Sequence, residues 1–367
     1  MRTTQERRIE LDFLRGIAIL LACGWHFNGR DTGVVVIDLL QMPGRALGWA
    51  GVDLFFVLSG FLVGGLVLGE YHKTGTFKPR RFLVRRAFKI WPVLYLYIAL
   101  LVITGRYAPG QVVPQTLFHV QNYFLTPLNH LWSLAVEEHF YLTFAVLFLA
   151  LARSASRRIE LLPYFLAGLM VLAPLLRILG VLAGVEPHTL QIQTQFRIDA
   201  LACGVMLAYL KVFRASAFNT LAVRKTALGI ASIAGVAALL ALRGDPVLIA
   251  TAGYSIAYLT GAAFLLFVDR LPIVVNRNRA ARAIAWIGTY SYAMYVFQFV
   301  FFRAAESVWK RFSPDAIPAL LDIAIRYVGA LTVAIVVTKL LERPMLALRD
   351  RLVPATKSVL PEVQASA

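Results

Sequence analysis

The sequence predicts an all-α polytopic membrane protein with about ten transmembrane helices around a polar cavity. Of its 367 residues, 59% are hydrophobic and only 16% are charged, a composition that excludes an ordinary water-soluble fold. The apolar residues gather into blocks of roughly 17 to 25, the length that a helix needs to cross the hydrocarbon core of a bilayer. The excess of 37 Lys and Arg over 20 Asp and Glu fits membrane orientation, because basic residues collect on the cytoplasmic face.

Ten apolar blocks are candidate spans, and their even number places both termini on the same side. The blocks are residues 11–27, 49–69, 88–104, 131–152, 161–183, 194–212, 224–242, 246–268, 282–303 and 318–341. With both termini in the cytoplasm, most Lys and Arg fall in inner loops and few in outer ones. The sequence therefore predicts a single membrane domain over residues 1–351 and a short, disordered cytoplasmic tail over residues 352–367.

The first two spans carry local signals of their own. The first follows Arg2, Arg7 and Arg8, as the apolar run of a signal peptide does, but it contains Arg15 and ends at His26 without a small-residue cleavage site. We therefore expect it to remain as a helix. Glycines at small-xxx-small spacing in the second span predict close helix packing. They are Gly60, Gly64, Gly65 and Gly69.

The segments between the spans predict little apart from two long outer connections. Residues 28–48 and 105–130 are too apolar for solvated loops, so they are expected to fold back as lids or re-entrant pieces over a cavity. No repeat of fixed period is evident. The two cysteines, Cys23 and Cys203, lie in apolar blocks and offer neither a disulfide framework nor a metal pattern.

Ionisable residues inside the spans are the most informative feature of the sequence. Each costs about 2.5 to 3.5 kcal/mol on insertion scales unless it faces a partner or a wet cavity. They are Arg15, His26, Asp53, Glu137, Glu138, His139, Arg177, Arg197, Asp199, Asp322 and Arg326.

The predicted topology fixes the depth of these groups. At 1.5 Å per residue, His26 lies roughly 16 Å further out than Arg15. Several groups from other spans reach the outer level of His26, namely Asp53, Glu137, Glu138, His139, Arg197, Asp199, Tyr295 and Gln298. At the cytoplasmic interface, Arg85, Arg86 and Lys89 enter the third span. The predicted cavity is therefore cationic at its inner mouth and rich in acids and bases near its outer end.

Each of these groups also has a structural interpretation. A lone intramembrane histidine can simply bond to a backbone carbonyl. The two adjacent glutamates could pair with Arg177 or Arg197, because buried carboxylates need partners whatever their role. Arg197 could instead form a structural pair with Asp199. The basic run over residues 70–89 could bind anionic lipid.

Seven motifs, in their order and spacing, resemble the acyltransferase-3 family of integral membrane acyltransferases, which modify sugars and related hydroxyl compounds. The motifs are RGIAILLACGWH with Arg15 and His26, GVDLFFVLSGFL (51–62), RRAFKIWP (85–92), LWSLAVEEHFY (131–141), FRIDALACG (196–204), YSYAMYVFQ (290–298) and LERP (341–344). Lys89 replaces the usual final Arg of the basic run, and Gln298 stands where relatives often carry His. The resemblance covers nearly the whole chain.

The resemblance implies transfer of an acyl group, acetyl or similar, from cytoplasmic acyl-CoA to a hydroxyl of a sugar, glycan or related acceptor. Arg85, Arg86 and Lys89 would bind the CoA phosphates through charge-assisted hydrogen bonds, and Arg15 would lie beside the arm that carries the thioester. Acyl-CoA is the donor co-substrate, and neither a metal nor nucleic acid is expected. The implied location is the bacterial inner (plasma) membrane, where lipids are the remaining partners.

The hypothesis for the chemistry places His26 as the base that deprotonates the acceptor hydroxyl, since imidazole titrates near neutral pH. A carboxylate should hold the imidazole tautomer, with Glu138 as first choice and Asp53 as second. Glu137 is a further catalytic candidate, and an acyl-His26 intermediate is equally compatible. Arg15 or Arg197 could stabilise the oxyanion. The residues expected to bind the acceptor are Arg197, Asp199, Tyr295, Gln298 and Trp132.

Two other classes of protein compete with the enzyme. A proton-coupled or lipid-linked sugar transporter would also place acids and a histidine in the membrane. The absence of an internal repeat counts against it. A non-catalytic scaffold or receptor would explain the buried charges poorly.

Overall fold

The structure is a computed structural model that describes residues 8–27, 31–124, 126–153, 158–269 and 271–354, and these residues form helices with no β-strand among them. The helices are α1 Ile9–Phe27, α2 Val35–Leu47, α3 Gly51–Thr74, α4 Pro79–Ile103, α5 Pro109–Leu117, α6 Trp132–Arg153, α7 Leu162–Leu182, α8 Pro187–Ile192, α9 Ile198–Phe213, α10 Ala215–Val223, α11 Lys225–Ala241, α12 Pro246–Leu248, α13 Tyr254–Asp269, α14 Pro272–Arg277, α15 Arg279–Gly288, α16 Ser291–Phe297, α17 Val300–Trp309, α18 Ala319–Val337 and α19 Arg343–Leu352. A π-helical turn, Thr338–Glu342, joins α18 to α19. The predicted all-α fold is confirmed.

Fewer helical segments meet the length and hydropathy of a membrane span than the ten that were predicted. Within the described ranges, six helical segments are long and apolar enough to span a bilayer, and seven if α9 and α10, bent by 114°, count as one. All ten predicted blocks fall on helices, but four of those helices are short, charged or interrupted. For example, α1 carries Glu10, Asp12 and Arg15, and turns divide the predicted ninth span into α15, α16 and α17. A multi-pass membrane protein is supported, and the count of ten is not confirmed.

Helices α3 and α9 have the most extensive contact in the described part of the bundle, and glycines allow their backbones to approach closely. A Cβ on Gly60 would lie 2.2 Å from the carbonyl oxygen of Leu201, and one on Gly204 would lie 2.2 Å from that of Val57. Gly64 also faces α9, whereas a Cβ on Gly65 would meet open space. The predicted role of Gly60 and Gly64 in close helix packing is thus confirmed, and Gly65 has no such role.

Helix α1 crosses the middle of the bundle and contacts α2, α3, α13, α15 and α16. Its approach to α15 also depends on small residues, since a Cβ on Gly16 or Gly288 would come within about 2 Å of the carbonyl oxygen of Ile284 or Asp12, respectively. Because α1 is clamped in this way, Arg15 and His26 are held at fixed heights in the bundle.

The long connection between α4 and α6 turns back along α4, as predicted. After α5, the ring of His119 lies 5.8 Å from that of Trp91, twelve residues before the end of α4. Asn122 anchors the segment by donating to Thr194 Oγ1 at 2.9 Å. However, neither this connection nor the described part of residues 28–48 lines the cavity described below. That they cover a cavity as lids stays a prediction.

Two predictions concern residues outside the described ranges. Only the first three residues of the predicted tail, 352–367, are described, and its predicted disorder is untested. The basic residues before the first span are described only from Arg8 onwards, where Arg8 pairs with Asp269 of α13 at 2.6 Å.

Candidate active site

A cavity of about 450 Å³ runs between α1, α3, α4, α6, α16 and α19. On α3, one stripe of residues faces it from Val52 to Leu66, a rise of roughly 21 Å. The polar residues that line it are Arg15, Ser59, Arg86, Lys89, Ser133, Glu137, Tyr141, Thr289, Ser291, Tyr292, Tyr295, Thr338, Glu342 and Arg343. The cavity is thus long and narrow, with an apolar wall from α3 and polar walls from the other helices.

The two ends of the cavity differ in exposure. At one end Leu66 and Arg343 are exposed, and we call this the open end. At the other end Ser133, Leu134 and Tyr295 are each 5% exposed, and we call this the closed end. A ligand with a thin arm can therefore enter at Arg343 and extend towards Ser133 and Tyr295.

Cationic side chains line the cavity on the side of the open end. Lys89 Nζ pairs with Glu342 Oε1 and lies 5.7 Å from the centre of the Tyr292 ring. Arg15 lies 2.8 Å from Asp12 Oδ1. Arg86 lies over the ring of Tyr141 at 5.6 Å, and no carboxylate within the described ranges pairs with it. Three of the four predicted donor-binding residues therefore converge on one cavity, and Arg343 joins them.

Arg85, the fourth, is directed elsewhere. Its guanidinium lies 2.9 Å from Asp350 and donates to the backbone carbonyl of Val353, so it ties α4 to the end of α19. Adjacent residues on a helix point about 100° apart, and only Arg86 faces the cavity. The prediction that Arg85 lies with Arg86 at the mouth is corrected accordingly.

One face of α6 supplies a chain of hydroxyl and carboxyl groups to the cavity. Ser133, Glu137 and Tyr141 are four residues apart and all line it. Tyr141 donates to Glu137 Oε2 at 2.8 Å, and Ser59 Oγ lies 2.6 Å from the Tyr141 hydroxyl. Glu137 is therefore the predicted catalytic carboxylate that reaches the cavity.

His26 lies beyond the closed end, behind Tyr295. The centres of the two rings are 6.4 Å apart, and His26 is not among the described residues that line the cavity. His26 Nδ1 lies 3.0 Å from Gln298 Oε1, while Gln298 Nε2 donates to the carbonyl oxygen of Tyr295 at 3.0 Å. His130 is a second imidazole beside it, with a ring-centre distance of 6.3 Å.

The predicted carboxylate partner of His26 is replaced by an amide. Neither Glu138 nor Asp53 bonds to His26 in the part of the chain that the structure describes, where the partner is Gln298. Glu138 follows Glu137 on α6 and points away from the cavity, and its Oε1 has no partner among the described residues. Beside it, His139 Nδ1 lies 2.7 Å from Thr194 Oγ1, and the His139 ring lies 5.9 Å from the ring of Tyr123 in the connection before α6.

Asp53 belongs to a buried cluster of charges. It pairs with Arg197 at 2.7 Å, and Arg177 pairs with Asp199 at 2.8 Å, with all four side chains at most 1% exposed. The Arg197 guanidinium also stacks 3.6 Å from the centre of the Tyr254 ring. The expected pair of Arg197 with Asp199 is therefore replaced by two pairs that link α3, α7 and α9.

Three predicted acceptor-binding residues, Arg197, Asp199 and Trp132, belong to this cluster and do not line the cavity. Asp199 also accepts from Arg177, as described, and Trp132 lies 5.2 Å from the Arg197 guanidinium and 5.9 Å from the ring of Phe56. With Arg197 they stabilise the packing of α3, α6 and α9. Of the predicted acceptor-binding set, Tyr295 and Gln298 lie next to His26.

Several residues of the site were missed from the sequence. They are Ser59, His130, Ser133, Tyr141, Thr338 and Arg343. The spacing of Ser133, Glu137 and Tyr141 within LWSLAVEEHFY is a signal that could have placed them on one helix face. The position of His130 carries no comparable signal, because it depends on how the connection before α6 folds.

Comparisons with known proteins identify the family of the chain. The family described as acyltransferase domain, acyltransferase-3, matches residues 8–339. The peptidoglycan O-acetyltransferase OatA of Listeria monocytogenes serovar 1/2a is 24% identical over 365 residues, which cover 90% of this chain and 55% of the relative. The O-acetyltransferase OatA of Staphylococcus aureus strain NCTC 8325 is 28% identical over 220 residues, covering 54% of this chain and 34% of the relative.

The remaining comparisons limit what can be carried over. A putative O-acetyltransferase of S. aureus strain COL is 29% identical over 223 residues, covering 54% of this chain and 34% of the relative. The chain spans about half the length of the Listeria relative and about a third of the staphylococcal ones. No solved structure matches. The extent of the family match nevertheless shows that the chain belongs to the acyltransferase-3 family and is an enzyme that transfers acyl groups.

Proposed function

We propose that this chain is a membrane-bound O-acyltransferase that moves an acetyl or similarly short acyl group from cytoplasmic acyl-CoA to a hydroxyl of a sugar or glycan. The observation that carries the proposal is the cavity, which has cations towards its open end and hydroxyl groups at its closed end, next to His26. The names of the relatives favour a glycan of the cell envelope as acceptor, because they are peptidoglycan and other O-acetyltransferases.

The donor would enter at the open end. CoA carries phosphates on a bulky nucleotide and a thioester at the tip of a long, thin arm. Arg86 and Arg343 offer charge-assisted donors to the phosphates, while Arg15 and Lys89 line the walls along which the arm would pass. The arm would then bring the thioester towards Ser133, Glu137 and Tyr295.

His26 is suited to act as base towards the acceptor. Because Gln298 Nε2 donates to the backbone carbonyl of Tyr295, its Oε1 is left facing His26. An amide oxygen only accepts hydrogen bonds, so the proton sits on His26 Nδ1 and the lone pair on Nε2 is free for the acceptor hydroxyl. Gln298 would thus do the orienting work expected of a carboxylate.

The proposed location is the inner membrane of a bacterium, with ten crossings and both termini in the cytoplasm. Support comes from the distribution of Lys and Arg in the sequence and from the ten helical blocks, although only six or seven meet the length and hydropathy expected of a span. In this topology the open end faces the cytoplasm, where acyl-CoA is available. The transporter alternative is dropped, because the family match and the relatives are acyltransferases.

The proposed function is tested in cells and with purified protein. Acetate released by mild base from cell-envelope glycans, measured with and without the gene, should fall when the gene is removed. Purified protein in detergent should bind acetyl-CoA saturably. If envelope acetylation is unchanged and no acyl-CoA binds, the proposed function is wrong.

The variant His26→Gln should lose transfer while it keeps donor binding. General base catalysis contributes about 10² to 10⁴-fold, so we expect at least a hundredfold loss of acetyl transfer with little change in affinity for acetyl-CoA. The matched control is His188→Gln, because His188 is exposed on α8. Near-normal transfer by His26→Gln would contradict the assignment of the base.

A further inference from the structure

A wall separates the donor cavity from His26, and two hydroxyl groups form it. Ser133 Oγ and the Tyr295 hydroxyl lie 2.8 Å apart at the closed end. The ring centre of His26 lies 6.4 Å from that of Tyr295, and His26 is not among the described residues that line the cavity. A thioester that enters from the open end therefore meets Ser133 before it meets the imidazole. The two substrates would approach this wall from opposite sides.

The hydrogen bonds at the wall fix the direction of the proton on Ser133. The Tyr295 hydroxyl donates its one proton to the carbonyl oxygen of His130. Between Tyr295 and Ser133, the tyrosine oxygen must then accept, and Ser133 must donate. The lone pairs on Ser133 Oγ are thereby left free to attack an electrophile in the cavity.

A carboxylate lies one helical turn from Ser133. Glu137 follows it by four residues on α6 and lines the same cavity. Glu137 Oε2 accepts the proton of Tyr141, so Oε1 is the carboxylate oxygen that would act towards Ser133. A serine, a neighbouring base and a position where a thioester can rest are the parts of a nucleophilic acyl-transfer site.

We propose that Ser133 carries the acyl group across the wall as a covalent ester. This inference rests on the proposed function and adds a residue and an intermediate to it. The direct route and the acyl-His26 route both require the thioester to pass Tyr295, whereas transfer to Ser133 does not.

In the first half-reaction, Ser133 Oγ attacks the thioester carbonyl. A bond forms between Oγ and the acyl carbon, and the bond between that carbon and sulfur breaks. For this step the serine hydroxyl turns from Tyr295 towards Glu137. Glu137 receives the proton of the serine and passes it to the departing sulfur, so that CoA leaves as a free thiol through the open end. No oxidation or reduction takes place.

In the second half-reaction, the acceptor hydroxyl attacks the Ser133 ester from the side of His26. The acceptor oxygen bonds to the acyl carbon, and the bond from that carbon to Oγ breaks. His26 takes the proton of the acceptor. The Tyr295 hydroxyl, which bonds to Ser133 Oγ, gives its proton to the serine oxygen and receives the proton of the His26 imidazolium in return. The enzyme is then restored with one acylated acceptor and one CoA.

The test uses the full-length His26→Gln protein in detergent with acetyl-CoA that carries a radiolabelled acetyl group, and no acceptor. Because only the second half-reaction is blocked, CoA thiol should appear in a burst stoichiometric with protein, and an equal amount of label should stay on the protein. Peptide mass spectrometry should place the acetyl group on Ser133. In Ser133→Ala the burst and the label should vanish while acetyl-CoA still protects the protein against thermal unfolding.

Two further variants separate a nucleophile from a structural serine. Ser133→Cys should regain the burst. Its adduct is a thioester, which neutral hydroxylamine cleaves, whereas the oxygen ester on Ser133 resists neutral hydroxylamine. The control is Ser232→Ala, because Ser232 donates to the Leu228 carbonyl of its own helix and lies outside the cavity lining among the described residues. It should retain the wild-type burst and label.

The results that overturn the inference differ from those that overturn the proposed function. Three results would each exclude acyl-Ser133 and leave the proposed function standing. The first is label retained by Ser133→Ala, and the second is label mapped to His26 or another residue. The third is acetyl transfer by the wild-type protein while His26→Gln retains no label. Failure of the wild-type protein to bind acetyl-CoA or release CoA from it would overturn both.

Discussion

Arg85 and Arg86 are neighbours in the sequence and yet serve different parts of the molecule. Arg86 faces the cavity, whereas Arg85 holds Asp350 and the carbonyl of Val353. The sequence alone treats them as one basic pair, because a run of cations gives no indication of which side chain turns inwards. Their separate surroundings make them a matched pair for testing how the donor is bound.

Arg86→Gln should weaken donor binding, and Arg85→Gln should not. A hydrogen bond to a charged group contributes about 1.5 to 3 kcal/mol, so loss of the Arg86 contact should raise the KM for acetyl-CoA roughly tenfold or more. The measurement is the rate of CoA release against donor concentration for each variant. Equal KM values for the two variants would show that the cavity is not the donor site.

Gln298 is the residue that decides which nitrogen of His26 acts as base. Gln298→Leu removes the acceptor for the Nδ1 proton, and we expect acetyl transfer to be about two- to tenfold slower, since a neutral hydrogen bond contributes about 0.5 to 1.5 kcal/mol. Gln298→Glu keeps an acceptor and should retain more activity than the leucine variant. Transfer at the wild-type rate by Gln298→Leu would mean that the tautomer of His26 is held by another group.

At the scale of helices, the contact between α3 and α9 positions the apolar wall of the cavity. Gly204→Val would place a side chain where the carbonyl oxygen of Val57 now lies, so the two helices must separate. We expect a loss of stability of about 3 kcal/mol or more, since overpacking typically costs 1 to 3 kcal/mol and here a backbone carbonyl, not a side chain, has to move. The midpoint of thermal unfolding in detergent reports this loss.

Gly65→Val provides the comparison on the same helix. A Cβ there meets nothing within 4 Å, and valine suits an apolar helix at least as well as glycine does. Its unfolding midpoint should stay close to that of the wild-type protein. Equal losses for the two variants would contradict the packing account of Gly204.

The helices themselves could be predicted from the sequence because apolar blocks of span length determine them. The division of the predicted ninth span into three helices could not be. Its second break falls at Gln298, whose side chain bonds back to Tyr295 and across to His26. Such a break depends on contacts with α1, 272 positions away in the sequence, and local propensity carries no trace of it.

The same reasoning explains which site residues were predicted. Arg15, Arg86, Lys89 and Glu137 were found because charges in apolar spans are costly and need a cavity or a partner. The choice of partner was missed, since the pair of Asp53 with Arg197 joins residues 144 positions apart. Ser133 was missed because a single hydroxyl in a helix costs little and therefore attracts no notice in a sequence.

At the scale of the whole molecule, the cavity has one open end, and its direction across the membrane decides where the donor must be. The proposed topology places the loop before α4 in the cytoplasm and the loop after α11 outside. The two native cysteines, Cys23 and Cys203, are 0% and 5% exposed, so cysteines introduced in these loops can be labelled selectively.

Thr76→Cys and Arg243→Cys test this orientation, since both positions are exposed. A membrane-impermeant maleimide added to intact cells or spheroplasts should label the cysteine at position 243 and leave the one at position 76 unlabelled until the membrane is permeabilised. Labelling of both from the same side would require an even number of crossings between them and would contradict the proposed topology.

The π-helical turn at Thr338–Glu342 has a consequence for how the C-terminal helix meets the rest of the bundle. A turn of this kind holds one residue more than an α-helical turn, which rotates everything after it by about 100°. This extra residue sets the rotation of the helix that follows. With that rotation Glu342 pairs with Lys89, and Arg343 and Leu346 line the cavity. In a chain that lacks Leu340, this segment would be a regular α-helix, and the Arg343 side chain would point away from the passage that it now borders.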